Sequence, residues 1–178
     1  MIVKDRRGSA SVPALFMVIC IFSVCALVAD VAKHFCVKIA VKQKLNIALR
    51  SAAAQLDENQ LKNASLVIDE ARATQAFADV LKVNLVLDDA LTPQPGSILN
   101  AGPVRIDYLK VVRPDEVPFT YNFGGYTETV NKVAVVGIIS FPVKNGTFSR
   151  LAGAPEETTM YCHATAAPEL ISRPVDQI

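Results

Sequence analysis

The sequence predicts an α+β protein: a long N-terminal transmembrane helix continuing into a helix, with a second helix packed on a small antiparallel sheet. Three observations carry this expectation. Residues 12–29 (VPALFMVICIFSVCALVA) contain no charge. Residues 30–56 contain neither Pro nor Gly and are rich in the helix formers Ala, Leu, Lys and Gln. After the punctuation Thr92-Pro93-Gln94-Pro95-Gly96 the pattern changes to short β-rich runs. The chain divides into a basic N-terminal segment (1–11), a transmembrane helix (12–29), a helical stalk with a second helix (30–91) and a β-rich domain (92–178).

The first segment places Lys4, Arg6 and Arg7 against Asp5 alone. Eighteen helical residues at 1.5 Å each span about 27 Å, close to the ~30 Å hydrocarbon core of a bilayer. Pro13 falls in the first turn, where a missing N–H costs least. Three readings fit such a segment: a buried core helix, a signal peptide cut after Ala29, and a retained anchor. Core helices usually show a polar stripe, and signal cores run roughly 7–15 residues, so length favours the anchor. Charge does not orient it, because Lys33, Lys38, Lys42 and Lys44 follow closely on the far side.

Beyond the anchor, Phe35, Ile39, Leu45, Leu49, Ala52, Ala53 and Leu56 recur at helical spacing, so one helix is expected from about Ser11 to Leu56. Lys38, Lys42 and Lys44 are read as a solvated face, with contact to anionic lipid as the alternative. Asp57-Glu58-Asn59-Gln60 reads as a turn. A second helix is expected over residues 65–81, with Ser65 as N-cap, Asp69 and Glu70 in its first turn, and Ile68, Ala71, Ala76, Phe77 and Val80 on its apolar side. Residues 84–89 are an extension of it or a strand.

In the last part, residues 104–108 alternate and extend to Val112 as a strand, and residues 113–118 form a loop. Residues 119–123 are a short strand, and Gly124-Gly125 suits a hairpin turn. Residues 127–143 form one long β-rich run, with Pro142 favouring its end or a sheet edge. Asn145-Gly146 marks a turn and residues 158–166 a last strand, which gives an antiparallel sheet of about four strands.

The side-chain inventory is poor in chemistry. Eighteen basic and seventeen acidic residues leave a net charge of +1, which offers nucleic acid no field. There is no Trp, and the histidines are His34 and His163. Cys20 and Cys25 lie in the apolar block and read as small hydrophobes, and Cys36 with Cys162 is one remote pair rather than a disulfide framework. Cys162 and His163 are adjacent, so a strand points them to opposite faces, and His163 is read as an ordinary strand histidine. Asp57, Glu58, Asp69 and Glu70 are scattered, and Asp88-Asp89 reads as a solvated loop. No dinucleotide or phosphate-binding glycine motif occurs, so no cofactor, metal or catalytic residue is expected. Asn63-Ala64-Ser65 and Asn145-Gly146-Thr147 match the glycosylation sequon, a pattern common by chance.

The start taken as a whole is more distinctive: RRGSASV (Arg6 to Val12), an apolar helix, Asp30, then a helix ending in SAAAQ (Ser51 to Gln55). This resembles the TadE/TadG-like proteins of tight-adherence (Flp-type) pilus systems, minor pilins or pseudopilins of the bacterial envelope. The match covers about the first 55 residues; the later chain agrees in general build. The resemblance places a prepilin-peptidase cut between Gly8 and Ser9. The glutamate that the family usually carries five residues past that cut is Pro13 here, and proline can neither assist processing nor pair with a new amino group. The resemblance therefore implies an uncleaved, non-catalytic pilus or secretion-system assembly protein. It would be single-pass in the cytoplasmic membrane, with the N-terminus cytoplasmic and the C-terminal domain outside. Its expected partners are the lipid bilayer and other membrane proteins of the pilus or secretion system, further copies of itself included. The rival expectation is a secreted or periplasmic binding domain released by signal peptidase.

Overall fold

A computed structural model describes residues 11–62 and 65–169. The order of elements is α1 (Ser11–Ala53), α2 (Glu58–Lys62), α3 (Glu70–Leu85), β1 (Arg105–Val112), β2 (Phe119–Phe123), β3 (Tyr126–Val130), β4 (Ala134–Lys144), α4 (Thr147–Leu151) and β5 (Glu157–Ala166). The architecture is α+β, with a long apolar N-terminal helix and a small antiparallel sheet.

The 43 residues of α1 form one unbroken rod, about 65 Å long at the helical rise. Nothing between Ala14 and Ala53 offers a break, since Pro13 sits in the first turn and no Gly follows. Burial begins only at Val41. From there Val41, Leu45, Ala48, Leu49, Ala52 and Ala53 are almost fully buried at three- and four-residue spacing, the stripe a core-facing helix needs.

β1, β4 and β5 form an antiparallel sheet in the order β1-β4-β5. Odd-numbered β4 residues (Val135, Ile139, Phe141, Val143) join Cys162, Ala164 and Ala166 of β5 in the core beneath α1. Even-numbered ones (Ala134, Val136, Ile138) pack with Val112 and Tyr121 on the opposite face. β4 is therefore covered on both sides, which explains why it reads as a continuous apolar run and not as an alternation. Pro142 lies beyond Ser140, the last β4 residue with a β1 partner, where β4 pairs with β5 alone.

β2 and β3 form a separate two-stranded ribbon over that outer face. Its turn is Gly124-Gly125, with φ of +57° and +81°, and Phe123 pairs with Tyr126 across it. Positive φ at both central residues is the hairpin geometry that glycine enters without strain. The expected four-stranded sheet is thus three strands plus a ribbon. The run over residues 127–143 breaks at Asn131-Lys132, and its halves join different sheets.

The expected packing of the second helix on the sheet is also corrected. The distal half of α1 lies against β4 and β5, and α3 packs on α1, meeting the sheet chiefly at β1. Ala73, Phe77, Leu81 and Leu85 are its buried positions, so the apolar stripe is displaced from the one expected, and Ala71 is exposed. The N-cap is Asp69, whose Oδ1 accepts from the Arg72 N–H at 3.0 Å. Ser65 does not begin the helix: its N–H donates back to the Gln60 carbonyl of α2, and the residues that follow pair with the chain at 55–57. Asp57 N donates to Val67 O, Asp69 N donates to Gln55 O, and Leu56 bridges Ile68. The expected turn at residues 57–60 is the start of α2, capped by Asp57 Oδ1 accepting from Asn59 N at 2.9 Å. Lys44 is not on a solvated face. Its Nζ donates to the Asn84 carbonyl near the end of α3, where a cation offsets the unpaired carbonyls.

α1 approaches the sheet at Gly137. A Cβ there would meet Leu49 Cδ2 at 2.8 Å, closer than a packed core accepts. Gly137→Ala is expected to cost about 1–3 kcal/mol by overpacking. Trimming Leu49 to Val in the same chain should recover part of it. Thermal melts of the two variants in detergent check this, and equal stability of Gly137→Ala and the parent would show that the contact has slack.

Candidate functional site

The proximal half of α1 is bare. No residue from Val12 to Ala40 is buried, and the most apolar eighteen-residue window, of mean hydropathy 2.7, has none of its residues covered. This excludes the core-helix reading. The helix is long and apolar enough to cross a membrane. Its exposed apolar stripe also continues past Asp30, the first charge: Val31, Phe35 and Ile39 are 53%, 62% and 57% exposed. These positions are four residues apart and share one face of the helix.

Where the apolar segment ends, Asp30 ties α1 to the β4–β5 connection. Its Oδ2 accepts from Ser149 Oγ at 2.9 Å and from Ser149 N at 3.2 Å. Gly146, the N-cap of α4, lies so close that a Cβ on it would fall 1.8 Å from Asp30 Oδ1. The carboxylate thus occupies the space a side chain would fill, and it serves as an N-terminal cap donated from another element. The adjoining Asn145 is held by its own amide. Nδ2 donates to Pro155 O and to Thr158 Oγ1, both at 2.8 Å. The sequon residue therefore works as the lock of this turn.

A second feature lies on the outer sheet face. Glu128 Oε2 accepts from Tyr121 Oη at 2.6 Å, Thr165 Oγ1 at 3.2 Å and Tyr126 Oη at 3.3 Å, joining the ribbon to β5. Burial, with Glu128 beside it, pushes the Tyr121 phenol up. The His163 ring stacks on Tyr126 with centroids 3.7 Å apart. Phe123, Tyr161 and Lys38 complete a cavity of about 400 Å³ around it. Burial and then the Lys42 charge hold the His163 imidazole below its ordinary value, against the pull of Glu128. Cys162 points the other way, into the core, where its Sγ donates to the Lys38 carbonyl at 3.6 Å. Burial raises its thiol, so it is not the low-pKa thiolate that nucleophilic chemistry needs.

Of the residues singled out in the sequence, Gly8 and Ser9 lie outside the described residues, as do Asn63 and Ala64. Pro13 is exposed in the first turn of α1. Cys20, Cys25 and Cys36 are exposed free thiols and Cys162 is a buried one. The Asp30–Ser149 contact had no usable sequence signal beyond the acid that closes the apolar block, because its partner lies 119 residues away. Comparison with protein-family models, curated proteins and solved structures found no match.

Two outcomes are expected. Gly146→Ala should displace the Asp30 carboxylate and lose about 1–3 kcal/mol of charge-assisted hydrogen bonding, but it should cost little when Asp30 is already Ala. Melting temperatures of the four chains of that cycle give the coupling directly, and additive effects would separate the two residues. For His163, the folded state binds its proton less readily than the unfolded chain does. Its contribution to stability is whole above the ordinary value of 6.5 and declines as pH falls from there toward the folded value. An NMR titration should find the midpoint below 6.5 and Lys42→Gln should raise it; a midpoint at or above the ordinary value contradicts the arrangement.

Proposed function

We propose that this chain is a non-catalytic, membrane-anchored assembly protein of the TadE/TadG type, a minor-pilin-like or pseudopilin component of a pilus or secretion system. The proximal half of α1 crosses the cytoplasmic membrane, and the domain stands outside it. The observation that carries the reading is the bare apolar surface of α1. Residues 12–29 have the length and character of a bilayer span, and Val31, Phe35 and Ile39 extend the exposed stripe, with Phe35 and Ile39 beyond the ~30 Å core that such a span fills. A stripe of that kind is covered by neighbouring helices in an assembly, whether of this chain or of another single-pass protein. The small residues Ala14, Ser23, Ala26 and Ala29 allow close helix approach within the lipid.

The rival, a soluble domain released after Ala29, is less well supported, because α1 runs through Ala29-Asp30 without a break. Intact mass of the protein from native membranes separates the two. A chain starting at Met1 or Ser9 keeps the anchor, and one starting at Asp30 removes it. In the same membranes, and in a chain whose exposed Cys20, Cys25 and Cys36 are replaced by Ser, Phe35→Cys should form oxidative cross-links to a neighbouring single-pass subunit, and Val83→Cys should not. Equal cross-linking at the two positions would count against an assembly face on α1.

A further inference from the structure

The β4–β5 connection lies at the level where α1 would leave the bilayer. Asp30 follows the last apolar residue of the span and holds Ser149 of α4 at 2.9 Å. The sheet places the connection there independently. Cys162 meets the Lys38 carbonyl. From that point α1 descends eight residues to Asp30, about 12 Å, and β5 descends five residues to Glu157, about 16 Å. The loop that carries α4 therefore sits at or below the height of Asp30, at the membrane-proximal pole of the domain.

That pole is apolar at its tip. Leu151 is 83% exposed, the most exposed large hydrophobic side chain among the described residues, and Phe148 is 45% exposed. They are three residues apart on α4, so they share a face. Arg150 stands between them, and Glu156 and Glu157 follow, all exposed. The mixed charge gives no net pull toward anionic lipid, so apolar insertion is the driving term.

We infer that α4 is a second membrane contact, with Phe148 and Leu151 seated in the headgroup–acyl boundary of the bilayer that α1 spans. The occupant is lipid, and a zwitterionic phosphatidylcholine surface suffices. The inference rests on the anchor reading above and adds a fixed height and facing for the domain. Small interfacial insertions of this kind reach roughly 5–10 Å into the boundary.

The chain contains no Trp, so one introduced indole is a clean depth probe. Full-length Leu151→Trp, Val83→Trp and Val18→Trp chains are reconstituted in phosphatidylcholine vesicles carrying lipid brominated near either end of its acyl chains. Val83 is 77% exposed and neighbours Asn84, whose carbonyl takes Lys44, about 21 Å along α1 from Asp30. Leu151→Trp should lose about half its emission to the shallow label and less to the deep one, as a side chain at that depth would. Val18→Trp should be quenched most by the deep label and Val83→Trp by neither. Quenching at Val18→Trp without any at Leu151→Trp overturns the inference and leaves the anchor standing, including the case in which a protein partner covers α4. Absence of quenching at Val18→Trp removes the anchor and the inference together. Phe148→Trp repeats the reading at a half-exposed position, and unchanged melting temperatures establish that each chain is folded.

Discussion

The approach of Leu49 to Gly137 sets the distance between α1 and the sheet, and most of the fold follows from it. A glycine in the central strand lets the helix lie close enough for Leu45, Leu49 and Ala52 to share a core with Val135, Ile139 and Cys162. α3 then fills the remaining side of α1 through Phe77 and Leu81. With one face of the sheet closed by a helix, the apolar residues on its other face need their own cover. The β2–β3 ribbon provides it through Tyr121, fastened at Glu128. Helices, sheet and ribbon are thus three layers with β4 at the centre, buried on both sides.

Much of this was legible in the sequence wherever the signal is local. A stretch without Pro or Gly gives the long helix; Gly124-Gly125 gives the hairpin; Asn145-Gly146 marks a change of direction. The reading lost ground where tertiary pairing decides. Ser65 has the chemistry of an N-cap, yet Ile68 bridges Leu56 and the Val67 carbonyl accepts from Asp57 N, so Asp69 takes that role. Residues 127–143 look like one strand because nothing local tells that β3 belongs to the ribbon and β4 to the sheet. Lys44 looks solvated until α3 brings the Asn84 carbonyl to it. At the junction, Asp30 and Gly146 were each visible as a charge and a turn, but their closeness is a property of the fold alone. The α4 helix, five residues long, is too short for any periodicity to show.

The molecule divides its apolar surface in an unusual way. Large aliphatic and aromatic side chains lie in the open along the proximal half of α1, while the distal half buries Val41, Leu45 and Leu49 and leaves Ile47 exposed. The transition falls between Ile39 and Val41, within one turn of the same helix. No change of secondary structure marks it. What changes is the neighbour, since β5 first reaches the rod at Lys38 and Val37, and full burial follows from Val41. A soluble protein keeping so large a bare surface would aggregate, so this surface is the part of the structure that most needs an environment.

The absence of any hinge in α1 has a mechanical consequence. From the first turn after Pro13 to Ala53 the rod contains no glycine or proline at which to bend, and kinks in helices nearly always need such a residue or an inserted bulge. The domain is built around the far end of this rod, so it behaves as the head of a lever whose shaft is the apolar half. A tilt or axial turn of the shaft is carried to the head along one continuous helix, and a pull on the head reaches the shaft in the same way. Orientation therefore passes between the apolar half and the domain through a single helix and not through a linker.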